Sequence, residues 1–284
     1  MIRSILVGLD TPGHGEVLSE LAIRWARRFG AGLVGLAIVD EPGIRAIEPL
    51  GPVGGTPGVN PVYYVGYDNR MAEQDEKAHA LLEDFSRRCE AAGVEHQAIV
   101  GVGAPDEVIE REACATDIVL MASRTHFYFT AQEDEPDDGL LRRVLPDTPR
   151  PMVVVPAGAP PEGPIVIAYD GSLQAERALA AFEASGLAGT GPVHVVSVDD
   201  HADEATRLAT RARHFLTLHR IEATAHAIPS PEPPGSVILA EARRLGAGLL
   251  VMGAYGKPVL REFFLGSATQ SLLEHSRIAM FLYH

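Results

Sequence analysis

Two segments of this chain close in the same way. Ser4–Asp10 (Ser-Ile-Leu-Val-Gly-Leu-Asp) and Pro164–Asp170 (Pro-Ile-Val-Ile-Ala-Tyr-Asp) are short apolar runs ending in aspartate, and a second matched pair follows, Asp117–Met121 and Gly248–Met252. Self-similarity at this spacing makes the 284 residues two copies of one architecture. The interval between the matched runs is 29 residues longer in the first copy, a surplus that fits the Gly- and Pro-rich stretch from about Glu41 to Met71. Within it Pro49–Tyr67 is uncharged and long enough for a membrane span, but nine of its 19 residues are Gly or Pro, which predicts a loop. Between the copies, Pro156–Pro164 holds six Gly or Pro in nine positions, so the expected domains are 1–158 and 159–284.

The hydrophobic period switches repeatedly within each copy. Val17, Leu18, Leu21, Ala22, Trp25, Ala26 and Phe29 share one helix face, Leu33–Val39 reads as a buried strand, and Ala78, Leu81, Leu82, Phe85 and Cys89 mark a helix stopped at Gly93. A strand at 94–100, a helix over 105–115 and strands at 118–121 and 152–155 complete the first copy. The second is expected to have strands at 165–169, 193–198, 222–228, 249–252 and 279–283, with helices over 172–185, 203–219, 235–245 and 267–275. Short β-branched runs alternating with amphipathic helices need right-handed crossovers and a parallel sheet covered on both faces. The fold class is therefore α/β, two doubly wound, Rossmann-like domains, whose ligands bind beyond the carboxyl ends of the strands.

Charge separates the two copies. The net −14 divides into −11 for residues 1–158 (14 basic, 25 acidic) and −3 for 159–284 (10 basic, 13 acidic). With no basic stripe, nucleic acid is an unlikely partner, and the second copy is the better home for an anionic ligand. Two cysteines, Cys89 and Cys114, without Cys-x-x-Cys or a Cys/His cluster, argue against structural zinc or a disulfide framework. With an N-terminus that lacks the marks of a signal peptide, they suit a cytoplasmic protein with no membrane attachment.

Gly30-x-Gly32-x-x-Gly35 matches a dinucleotide fingerprint only as a string, since a helix precedes it and a strand follows; it reads as a helix stop and turn. The more specific constellation is Gly253-Ala254-Tyr255-Gly256, nine residues, then Gly266-Ser267-Ala268-Thr269. Glycines after a strand admit a ligand close to the backbone, and hydroxyls at a helix start add to its unpaired N–H donors, together a phosphate-sized anion site. Each residue alone is explained as well by a turn or a cap; their joint placement favours binding. Lys257 and Arg261 in the spacer could approach a terminal phosphate, although a solvated surface position explains them equally.

At these residues the chain resembles the universal stress protein family, whose nucleotide-binding members carry Gly-x-x-Gly, nine residues, Gly-[Ser/Thr]. The resemblance covers the chain as a tandem of two five-stranded parallel sheets of order 3-2-1-4-5. It implies that Ala168 and Asp170 meet the adenosine, with Asp170 near the ribose, and that Val198 lies by the adenine. It further implies that Met252, Gly253 and Gly256 wrap the ribose and phosphates, while Gly266, Ser267, Ala268 and Thr269 hold the phosphate chain of ATP, ADP or AMP, with or without Mg²⁺. A helix cap is the alternative role for Asp170. Tandem members pair their halves through the last strands, here Met152–Val155 and Ala279–Tyr283, and further homodimerisation is compatible with the sequence.

The first copy departs from this pattern. Ala122 and Thr125 stand where Gly253 and Gly256 do, and Asp138, Gly139 and Leu141 fall opposite Gly266, Ser267 and Thr269. Five carboxylates in Glu133–Asp138 would repel phosphates there. Only the second copy is expected to bind nucleotide. No general base or nucleophile is evident beside the anion site, which favours a regulatory, stress-response binding protein over an enzyme, with slow ATP hydrolysis left open. A nucleotidyl transferase or ATP pyrophosphatase would need His-x-Gly-His or Ser-Gly-Gly-x-Asp-Ser after the first strand, and Asp10–His14 and Asp170–Leu173 match neither. A third reading is a scaffold whose 41–71 loop meets a partner through Tyr63, Tyr64 and Tyr67; packing of those rings on their own domain is the alternative.

Overall fold

Strands buried on both faces can be apolar at every position, and the matched runs satisfy this: Ile5 and Val7 face one helical layer while Leu6 faces the other, and Ile165, Ile167 and Val166 repeat the arrangement. The structure, a computed structural model, describes residues 1–47, 61–129, 139–158, 162–254 and 278–284, with no side-chain detail for 61–65. The first copy runs β1 (Ser4–Gly8), α1 (Pro12–Phe29), β2 (Gly32–Val39), α2 (Glu41–Ala46), α3 (Pro61–Ala92), β3 (His96–Val102), α4 (Pro105–Ala113), β4 (Ile118–Ala122), α5 (Gly139–Asp147) and β5 (Met152–Val155). The second runs β6 (Ile165–Ala168), α6 (Leu173–Ser185), β7 (Val193–Asp199), α7 (Ala202–Leu218), β8 (Ala223–Pro229), α8 (Pro234–Arg244), β9 (Leu249–Gly253) and β10 (Ala279–Tyr283).

These strands form one sheet of order β3-β2-β1-β4-β5-β10-β9-β6-β7-β8, so each copy has the order 3-2-1-4-5. All pairs within a copy are parallel; the copies meet where β5 and β10 pair antiparallel, with Val153 opposite Phe281. The registers align Gly8 with Leu36 in the first copy and Ala168 with Val196 in the second. Phe182 of α6 meets Phe281 edge-on at 6.2 Å, beside the seam between the copies. Gly30, at φ +65°, caps α1 by donating its N–H to the Ala26 carbonyl, the helix stop expected of that glycine.

Two local expectations are corrected. The 41–71 stretch, expected as a loop, is helical over most of its described length: α2 covers Glu41–Ala46, and α3 begins at Pro61 and runs to Ala92, carrying the helical periodicity back past Gly66. Proline is tolerated in a first helical turn, and one glycine costs a long helix only about 1 kcal/mol. Tyr67 belongs to α3, packs on the core and donates its hydroxyl to Glu41 of α2 at 2.9 Å, so this tyrosine ties its own domain together. The second correction is α5, absent from the expected set, which buries Leu140, Leu141, Val144 and Leu145 despite Pro146 near its end. Residues 48–60, and the helix expected over 267–275, lie outside the described residues. Among those described, no helix is long and apolar enough to cross a membrane.

Near the outer edge of the second copy, His194 of β7 and His226 of β8 approach to 3.0 Å, and His226 faces Glu241 of α8 at 3.3 Å. Burial, with His226 beside it, holds the His194 pKa below its usual value. The unfolded chain then takes up this proton first as pH falls, so stability is lost below pH ~6.5, as pH drops toward the folded-state pKa. Thermal melts of the protein should show a lower midpoint at pH 5 than at pH 7, and His194→Gln should flatten that slope.

Candidate functional site

The connections after β6, β7 and β8 enclose a cavity of about 350 Å³ in the second copy. This falls in the range of small-molecule sites, and it lies at the carboxyl ends of strands beside the point where strand order reverses. Ala168, Val198 and Ile238 supply an apolar wall, with Leu208 reaching in from α7; Asp170, Asp199, Asp200 and Glu232 supply carboxylates. The backbone after β6 is fixed by local chemistry. Asp170 accepts a hydrogen bond from the Ser172 N–H at 2.9 Å, and Ser172 accepts one from the Ala175 N–H at 3.2 Å. Ser172, not Asp170, is thus the N-cap of α6, and the aspartate lines the cavity. Gly171 takes φ +72°, and a Cβ there would stand 2.7 Å from the Leu208 side chain, so the turn needs glycine.

Neighbouring groups tune the site. Burial and a 2.6 Å hydrogen bond to Glu176 push the Tyr169 hydroxyl pKa up, which keeps it protonated and facing away from acid–base work. The His201 backbone N–H holds Asp199 below the usual carboxylate range, and Asp200, 2.6 Å from the imidazole, raises His201. With Asp170, Asp199, Asp200 and Glu232 on its described lining, the cavity is acidic. It suits a ligand's hydroxyl and amino donors better than bare phosphate oxygens.

Of the residues singled out by sequence, Ala168, Asp170 and Val198 come together on this cavity. Met252 is buried in the same core layer as Ala168 and Val198. Gly253 is buried at the end of β9, where its missing Cβ makes room for the first turn of α6: a Cβ would lie 2.5 Å from the Gln174 carbonyl carbon and 2.6 Å from the Ala175 nitrogen. Gly256, Lys257, Arg261, Gly266, Ser267, Ala268 and Thr269 lie outside the described residues.

In the first copy the corresponding ground is filled by the chain itself. Phe127 is buried, and a Cβ on Gly8, the counterpart of Ala168, would stand 3.1 Å from its ring. The His126 N–H donates to Asp10 at 2.8 Å and the Phe129 N–H donates to Asp40 at 2.9 Å, so the segment after β4 is laced across the ends of β1 and β2. Asp10 also accepts from the Thr11 N–H at 2.7 Å. Sequence reasoning missed this plug. Its signal was the aromatic run His126-Phe127-Tyr128-Phe129, directly after the positions that align with Gly253 and Gly256.

Two doubly wound α/β units joined edge to edge, with a cavity at the strand ends of one unit and Phe127 lying over the corresponding strand end of the other, define a tandem Rossmann-like α/β protein as the class. Residues 163–284 match the family model described as the universal stress protein family. A universal stress protein of Synechocystis sp. is 22% identical over 284 residues, covering 98% of each chain. Among solved structures, a universal stress protein from Archaeoglobus fulgidus superimposes with a TM-score of 0.68 at 21% identity, covering 99% of this chain and 95% of that one. A putative universal stress protein from Pseudomonas aeruginosa gives a TM-score of 0.57 at 17% identity, covering 99% and 93%. The second half thus matches the universal stress protein family model, and the whole chain shares the fold of the structure from Archaeoglobus fulgidus.

Proposed function

We propose that the protein is a stress-response regulator that binds one adenine nucleotide, ATP, ADP or AMP, in its second half, and that its first half binds none. The observation that carries this reading is the 350 Å³ cavity lined by Ala168, Asp170 and Val198. Ala168 and Val198 offer an apolar face to adenine, and Asp170 offers acceptors to the ribose hydroxyls. The phosphates then point toward Gly253 at the end of β9, and the glycines and hydroxyls in the sequence Gly256–Thr269 suit anions. The domain division at 158/159 belongs to this proposal, with the β5–β10 seam holding the two halves together in solution. Binding, not turnover, is the activity.

Mass analysis of small molecules released on denaturing the purified protein tests this. An adenine nucleotide at about one equivalent per chain is expected at tight affinity. Protein that releases none and gains no thermal stability from added ATP, ADP or AMP would refute the reading.

A further inference from the structure

The filled cleft of the first copy contains a different constellation. Asp10, in the turn after β1, His14 in the first turn of α1, and His126 in the segment after β4 place one ligand atom each within 4.8 Å of the other two. His14 Nδ1 lies 3.2 Å and His126 Nδ1 3.7 Å from the Asp10 carboxylate, and the two rings are 5.6 Å apart. We propose that Asp10, His14 and His126 form a binding site for a first-row divalent transition-metal ion, with Zn²⁺ the best-matched, in the half of the protein that has lost its nucleotide cleft.

Distances and chemistry both point this way. Ligands about 2.0–2.1 Å from a tetrahedral ion stand roughly 3.3–3.5 Å from one another, and His14 Nδ1 and His126 Nδ1 lie 3.5 and 3.7 Å from the same Asp10 oxygen, Oδ2, so these two separations need little adjustment. Two imidazoles and one carboxylate suit zinc and its neighbours, whereas Mg²⁺ and Ca²⁺ prefer all-oxygen sites. The carboxylate is already oriented: its side chain is 1% exposed, and the Thr11 and His126 N–H groups donate one to each oxygen. Such outer hydrogen bonds fix a ligand in place before the ion arrives. The His14 and His126 side chains retain 24% and 15% exposure, which leaves a path from solvent and a fourth coordination position for water.

The three residues come from two segments of the first copy, the β1–α1 junction and the stretch after β4, so an ion there would clamp the plug segment to β1 and α1. The site rests on none of the residues proposed to hold nucleotide, and the two proposals can fail independently.

The test is calorimetric titration of the metal-free full chain with ZnCl₂, paired with Co²⁺ absorption as a readout of coordination. One saturable Zn²⁺ per chain is expected, unaffected by excess Mg²⁺, with a raised melting midpoint and visible Co²⁺ bands. His14→Gln and His126→Gln should each weaken binding by about a hundredfold and abolish the Co²⁺ bands, with circular dichroism confirming that the variants fold. His201→Gln, in the exposed Asp199–Asp200–His201 cluster, should change neither. Absence of saturable binding to the wild-type chain, or binding that survives both variants or disappears in His201→Gln, overturns the proposal.

Discussion

Gly253→Ala is expected to lower stability by about 3 kcal/mol, near the top of the range for overpacking a buried site. The added methyl would stand 2.5 Å from the Gln174 carbonyl carbon and 2.6 Å from the Ala175 nitrogen. Both are backbone atoms of a helix N-terminus, so no side-chain rotation relieves the contact; α6 would have to move away from β9. That movement costs more than a local shift, because α6 also carries Phe182, fully buried against Phe281. In a thermal melt the midpoint should fall by roughly 6–10 °C. The first copy carries Ala122 at the matching place, buried and accommodated, so Ala122→Gly should be far milder, about 1 kcal/mol. A melt of Gly253→Ala indistinguishable from wild type would show that the space is not needed for packing.

Asp170→Ala is expected to weaken ATP affinity by about tenfold to a hundredfold, the range for removing hydrogen bonds to a charged group. The aspartate lines the cavity while the N-cap duty falls to Ser172, so the variant retains the Ser172–Ala175 cap and loses one turn hydrogen bond. Asp170→Asn keeps an acceptor for the Ser172 N–H and for one ribose hydroxyl, and should fall between the two. Asp10, its counterpart, is occupied by the Thr11 and His126 N–H groups and faced by His14, so Asp10→Asn should leave ATP affinity unchanged.

What the sequence revealed depended on how local the physics was. The runs 4–10 and 164–170 are apolar at consecutive positions because both faces of their strands are buried, and the pattern announces a parallel sheet without reference to distant residues. The stop at Gly30 was equally local, since a left-handed residue beside a helix end is legible from glycine alone. Pro61–Tyr67 was misread because two glycine- and proline-based rules pointed to loop, whereas the helix there continues a periodicity set further along, around Ala78–Cys89. At the site, topology pointed only to the strand ends; Ala168, Asp170 and Val198 were named through the family resemblance, and the structure brings all three to one cavity. The plug could not be named: that Phe127 lies over Gly8 and that His126 and His14 converge on Asp10 are consequences of a tertiary path after β4. The expectation that the first copy binds no nucleotide rested on missing glycines and added carboxylates; the described residues add Phe127, buried over Gly8.

The most direct measurement is the calorimetric titration that reports the Asp170 affinities, because it also counts sites. The wild-type chain, freed of bound nucleotide, should take up one ATP per chain, and Asp170→Ala should weaken that single site. Two equivalent sites per chain, no binding at all, or one site untouched by Asp170→Ala would contradict the division of labour between the open and the filled cleft.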